Sequence, residues 1–169
     1  MRITLIILLF LCAGIAAQTQ NTLPSSRVQE LNGKWIQADK LAAPGKPLII
    51  SFWATWCKPC IKELDAVSEV LPDWQKETGV RLVAVSIDDS RSSSNVAPFV
   101  SGRGWDFRTV LDVNGDLKRA LNVVNVPHTF LFDGNGKLFW QHTGYADGDE
   151  AELRRKVVEC ADNASGSIR

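Results

Sequence analysis

The segment Pro47-Leu48-Ile49-Ile50-Ser51-Phe52-Trp53 is apolar at every position but one, and it runs into a stripe of Ile61, Leu64, Val67, Leu71 and Trp74. An unbroken apolar run of this kind reads as a parallel strand buried on both faces, and apolar residues three and four apart read as one face of a helix. A strand buried on both faces needs cover on both, so the chain is expected to build a central sheet with helices outside it. The junction between the two patterns is Trp56-Cys57-Lys58-Pro59-Cys60. Two thiols are thereby placed at a helix N-terminus, where amides without intrahelical partners carry partial positive charge and stabilise a thiolate. Free cysteine has a pKa of about 8.5, and paired cysteines in such settings fall to roughly 3.5 to 7.5. The chemistry indicated is thiol–disulfide exchange. Cys57 is the nucleophile, and Cys60, one turn further in, attacks the mixed disulfide and releases the reduced substrate. Pro59 is tolerated because the first helical turn has no carbonyl partner for its missing amide hydrogen. Lys58 places a cation beside the thiolate, so Lys58 and Pro59 are the expected tuning residues.

The rest of the chain supplies the remaining layers. Val28, Leu31, Trp35 and Ile36 around Asn32-Gly33 predict a short hairpin, and Ala38 to Ala43 a brief helical turn. Pro72 lies too deep in the first long helix for the N-terminal exemption, so a kink or break is expected there, with a stop at Gly79. Val80 to Ile87 reads as a second buried strand. Ser92-Ser93-Ser94 offers an N-cap for a helix holding Val96, Phe99 and Val100, ending near Gly102 or Gly104. Arg108 to Leu111 predicts a short strand and Asp116 to Leu121 a short helix. Val126 to Phe132 is a strand entered through Pro127, the turn Asp133-Gly134-Asn135-Gly136 follows, and Leu138 to Thr143 returns antiparallel. Asp149 to Ala161 closes the domain as an amphipathic helix. The sum is an α/β fold with a central mixed sheet flanked by helices on both faces.

The 169 residues suffice for one domain, and 19 basic residues balance 19 acidic ones, so nothing argues for nucleic acid. Residues 1–17 have the layout of a secretory signal peptide: Arg2, an apolar stretch from Ile3 to Leu11, then Ala13, Gly14, Ala16 and Ala17. Cleavage after Ala16 or Ala17 is expected, with an uncleaved membrane tether as the alternative. Cys12 follows Leu11, where a lipidation site wants a small residue. Residues 18–26 read as a flexible linker, 27–163 as the folded domain and 164–169 as a polar tail. Export leaves Cys57, Cys60 and Cys160, an odd number that does not suit a framework of structural disulfides. Cys160 falls on the apolar face of the last helix and reads as a small buried hydrophobe.

These motifs, in this order, resemble the thioredoxin superfamily and more closely its exported TlpA/ResA-like thiol:disulfide oxidoreductases. The resemblance rests on Asn32-Gly33-Lys34, the tryptophan-rich strand into CxxC, the Val83 to Asp88 strand end, Asn125-Val126-Pro127 and Asp133-Gly134. It implies a thioredoxin-like fold with an extra helix-containing insertion before the cis-proline strand. It also implies that Pro127 is cis beside the cysteines, exposes the Val126 backbone to a substrate strand and occludes metal binding. Trp56 is implied to wall the active-site surface. Glu63 is implied to accept the proton of Cys60, the other reading being a solvated carboxylate on the helix surface. Ordinary thioredoxins carry a buried aspartate where this chain has Ser51, which shifts weight to Glu63. Asp65 stands where many relatives have proline. His128 replaces a commoner threonine, and reads either as a group titrating near the thiols or as a packed strand histidine.

The resemblance implies a monomeric protein-disulfide reductase outside the cytoplasm, without a cofactor or bound metal. Its expected clients are protein disulfides or mixed disulfides, with apocytochrome c maturation as the leading pathway and a membrane thiol as electron donor. A disulfide-forming oxidant and a copper-handling metallochaperone are the alternatives. Copper-handling relatives space their cysteines by three residues and add a histidine ligand, whereas the spacing here is two. A peroxidase of the peroxiredoxin type wants threonine where Ala54 stands. Asp112-Val113-Asn114-Gly115-Asp116 looks briefly like a calcium loop, but Leu117 and Val123 occupy positions that need glycine and glutamate, so it reads as a turn.

Overall fold

The computed structural model describes residues 21–166. The expected signal peptide, residues 1–17, lies outside them. The sheet begins with the hairpin β1 (Arg27–Glu30) and β2 (Trp35–Gln37), and a single helical turn follows at Ala38–Leu41. β3 (Leu48–Trp53), α1 (Lys58–Thr78) and β4 (Arg81–Ser86) form the central unit. Then come α2 (Val96–Arg103), β5 (Arg108–Leu111), α3 (Asp116–Ala120), β6 (His128–Phe132), β7 (Leu138–Thr143) and α4 (Asp149–Gly166). The seven strands lie in the order β2-β1-β5-β4-β3-β6-β7. β3, β4 and β5 run parallel to their neighbours in that trio, while β6 pairs antiparallel with both β3 and β7. This is the thioredoxin-like mixed sheet, with α3 inserted before the proline-led strand.

Alternation along β3 explains why its composition is apolar throughout. Ile49 and Trp53 face one core with Leu82, Ala84 and Leu131, covered by Leu64, Val67, Leu71 and Trp74 of α1 and by Leu153, Val157 and Cys160 of α4. Leu48, Ile50 and Phe52 face the other core with Val83, Val85, Phe130 and Phe132, closed by Leu41 and Leu117. Ser51 shares the face of Ile49 and Trp53, which aims its hydroxyl under α1. One close approach depends on glycine: a Cβ at Gly134 would come within 2.6 Å of the Gly45 backbone.

Four expectations need correction. α1 runs unbroken through Pro72 to Gly79, whose left-handed φ of 71° and N–H to the Gln75 carbonyl end the helix. Pro72 sits on the exposed face, while buried Leu71 and Trp74 anchor the helix on either side. An interior proline still costs helix stability, by up to about 3 kcal/mol. Pro72→Ala is therefore expected to raise the unfolding free energy in urea by about 1 kcal/mol or more; a less stable variant would show that the proline is accommodated without loss. The serine run makes no side-chain cap: Ser93–Asn95 is a short 3-10 turn leading into α2. The expected linker is also ordered from residue 21. Leu23 is buried and its N–H bonds to the Gly136 carbonyl, Leu138 N–H bonds to the Asn21 carbonyl, and Thr22 bridges Lys137, so this segment covers the β6–β7 turn. At the other end α4 extends to Gly166, past both Ala161 and the expected start of the tail.

Candidate active site

β3 delivers the cysteines at its C-terminal end, in the middle of the sheet. Cys57 is the N-cap of α1, and its Sγ accepts from the Cys60 amide at 3.3 Å. The two sulfurs are joined as a disulfide. Cys60 is fully buried and Cys57 nearly so, while Trp56 beside them is 64% exposed. Lys58 and Pro59 occupy the first two positions of the helix.

β6 brings the second half of the site. The Val126–Pro127 peptide is cis, as the resemblance implied. Its Val126 carbonyl oxygen lies 3.8 Å from Cys57 Sγ, an acceptor for the thiol of the reduced protein. Pro127 is buried and Val126 half-buried, and Val124 two residues earlier is among the most exposed apolar side chains. Trp56, next to Cys57 in the chain, and Val126, whose carbonyl meets the Cys57 sulfur, thus flank the disulfide.

Glu63 lies on the inner side of α1, three residues after Cys60, so the two side chains share one helix face. Its surroundings correct the solvated reading: the residue is only 6% exposed. Thr129 Oγ1 donates to Glu63 Oε1 at 2.7 Å, Ser51 Oγ donates to Oε2 at 3.2 Å, and the two hydroxyl oxygens are 3.2 Å apart. Ser51 and Thr129 are register partners across β3 and β6, which is why both hydroxyls reach the same carboxyl. Burial pushes the Glu63 pKa up to about 7; the bonds from Thr129 and Ser51 oppose that shift and the charge of Asp149 adds slightly to it. A carboxyl with this pKa is divided between its two protonation states near neutral pH, as a proton-exchanging group needs to be.

Other singled-out residues are structural in their contacts. Asp65 accepts from Trp105 Nε1 at 2.9 Å and pairs with Arg103, tying α1 to α2. His128 stacks on Phe130 and meets Gln141 Oε1 at 3.1 Å, and burial holds its pKa below the usual imidazole value. Cys160 is a free buried thiol pushed up to about 11 by burial. Asp112 caps α3 by accepting from the Leu117 and Lys118 amides, which accounts for the turn that resembled a calcium loop. Among the described residues, no group of three or more His, Cys, Asp or Glu is arranged to hold a metal ion. No helix among them is long and apolar enough to cross a membrane.

Sequence reasoning passed over Thr129, Thr55 and Ser86, and noted Asp88 only as a strand end. Thr129 was accessible through the two-residue period that sets it on the Ser51 face. The bonds between Thr55 and Asp88 join residues 33 apart and have no local signature.

A paired thiol at a helix N-terminus, a cis-proline against it and this sheet order define a thioredoxin-like thiol:disulfide oxidoreductase. The chain belongs to the AhpC/TSA family, whose model matches residues 19–141, a span that includes both cysteines and the cis-proline. It is 31% identical to the thiol-disulfide oxidoreductase ResA of Bacillus thuringiensis over 135 residues, covering 80% of this chain and 75% of that one. Among solved structures it is similar to an uncharacterized thioredoxin-like protein from Porphyromonas gingivalis, with 52% identity, a TM-score of 0.74 and coverage of 83% and 92% of the two chains. A putative thiol:disulfide interchange protein DsbE from Chlorobium tepidum shares the fold at 24% identity, with a TM-score of 0.72 and coverage of 83% and 96%.

Proposed function

We propose that this oxidoreductase works as a monomeric protein-disulfide reductant outside the cytoplasm, with apocytochrome c as the leading client class and a membrane thiol as its electron source. The observation that carries the exchange chemistry is the buried Glu63 carboxyl, hydrogen-bonded by Ser51 and Thr129, with its pKa raised to about 7; the reducing direction rests on the family resemblance. In the reducing direction the Cys57 thiolate attacks a substrate disulfide, forming a mixed disulfide and expelling one substrate thiolate. Cys60 must then lose its proton inside the protein, and Glu63 takes it. The Cys60 thiolate attacks Cys57 Sγ, the internal disulfide forms and the second substrate thiolate leaves. Two electrons pass to the substrate, and its two thiolates take up protons from Glu63 and solvent. The substrate strand lies against the Val126 backbone, with Trp56 and Pro127 as flanking surface.

The resemblance to ResA-named relatives and the secretory layout of residues 1–17 support the compartment and the client class. Expressing Cys60→Ser in cells traps the step before resolution. The expected result is a set of mixed disulfides through Cys57 on exported proteins, apocytochrome c among them. Trapping confined to cytoplasmic proteins would overturn the compartment, and exported clients without a cytochrome would overturn the client class.

A further inference from the structure

The turn that carries Cys57 is held by a carboxyl group from a neighbouring strand. Asp88, just beyond β4, is 0% exposed. Its Oδ2 accepts from the Thr55 amide at 2.9 Å and from Ser86 Oγ at 2.8 Å, and its Oδ1 accepts from Thr55 Oγ1 at 2.7 Å. Its own amide donates to Ser86 Oγ at 3.0 Å, and the Ile87 amide to the Trp53 carbonyl extends the β3–β4 pairing to this point. The Cys57 amide bonds back to the Ala54 carbonyl at 3.0 Å, so Ala54 to Cys57 is a closed turn. Thr55, its first central residue, is fixed to Asp88 by both backbone and side chain.

Among the described residues no cation pairs with Asp88; hydroxyl and amide donors alone satisfy it. Burying a carboxyl carries a desolvation cost that an apolar side chain of similar size would avoid. What the carboxyl contributes is a single position for Thr55 and, through it, for Trp56 and Cys57. We infer that Asp88 is a positioning residue for the redox pair, setting how closely Cys57 is presented to Cys60. Cys60 lies within α1, whereas Cys57 is held from two sides: as N-cap its carbonyl accepts from the Ile61 amide at 3.1 Å, and its own amide is fixed by the turn. The balance between dithiol and disulfide depends on the effective concentration of one sulfur at the other. Loosening the turn lowers that concentration and moves the equilibrium toward the dithiol.

The test is equilibration of purified variants with glutathione: the protein disulfide and two glutathione thiols exchange for the protein dithiol and one glutathione disulfide, a balanced two-electron, two-proton reaction. No client is required, so the outcome is independent of the direction and compartment proposed above. Asp88→Ala is expected to shift the equilibrium constant about tenfold toward dithiol, equivalent to about 30 mV. Thr55→Val, which keeps the amide bond but loses the hydroxyl donor, is expected to shift it about threefold. The double variant is expected to go no further than Asp88→Ala, because both changes remove one device. Asp88→Asn should restore the equilibrium to within about twofold of the parent, since an amide of the same shape accepts from the Thr55 amide and donates to its hydroxyl. A folded Thr55→Val with the parent equilibrium constant overturns the inference even if Asp88→Ala fails to fold, and so does independent addition of the two shifts.

Discussion

Cys57→Ser is expected to reduce turnover of a protein disulfide such as insulin to the uncatalysed background, while Cys60→Ser takes up one equivalent of substrate and stops. The asymmetry follows from position. Cys57 is the N-cap, beside the exposed Trp56, with the Val126 carbonyl 3.8 Å from its sulfur; Cys60 is fully buried three residues further along α1. An incoming disulfide therefore meets Cys57 first. A serine hydroxyl is not appreciably ionised near neutral pH and cannot form the mixed disulfide, so no partial activity remains. In Cys60→Ser the first exchange is intact, and the adduct persists because nothing attacks it from within. Insulin reduction reads the first outcome and intact-mass measurement the second. Residual turnover by Cys57→Ser, or a stable adduct on Cys60 instead of Cys57, would reverse the assigned roles.

The second large effect belongs to Glu63. In the folded protein its carboxyl holds a proton up to about pH 7, against the ordinary 4.5. Between those two values the folded state binds more protons than the unfolded chain, so this group makes stability fall as pH rises through that window. A displacement of this size is worth about 3 kcal/mol, by 1.36 kcal/mol per unit. Replacing the carboxyl with a neutral amide removes the penalty of an ionised buried group, and loses about 1 kcal/mol where the amide cannot accept from both Ser51 and Thr129. Glu63→Gln is thus expected to be about 2 kcal/mol more stable than the parent at pH 8 and no more stable at pH 4.5, by urea unfolding of the oxidised proteins. The same variant is expected to lose about 10²-fold in turnover, together with the rise in rate through pH 7 that is expected of the parent as Glu63 ionises. A variant that is slower but keeps that inflection would assign the titration to another group. One that is faster would remove Glu63 from proton transfer.

The two effects show where the sequence was readable. β3 and α1 announce themselves because a strand buried on both faces and a one-sided helix leave different periods, and the cysteines stand where the periods meet. Pro72 misled because its consequence depends on which way it faces: on the exposed side, with Leu71 and Trp74 anchored in the core, the helix passes through it. Residues 21–26 read as polar and aperiodic, yet buried Leu23 and Pro24 and the backbone bonds to Gly136 and Leu138 seat them over the β6–β7 turn. Glu63 was visible as a candidate only through the family resemblance. Its burial was not, because the groups that make burial tolerable, Ser51 and Thr129, arrive from strands 12 and 66 residues away. The clamp between Thr55 and Asp88 was hidden for the same reason. Apolar periodicity reports the core, whereas polar groups buried in mutual contact leave no period at all.

The central claim is that this dithiol donates electrons. It is tested most directly by the reduction potential of the Cys57–Cys60 pair, measured by equilibration with glutathione at pH 7. The expected value lies below about −200 mV, more reducing than the ~−180 mV of a disulfide isomerase. A potential near the ~−120 mV of strong disulfide-forming oxidants would contradict it.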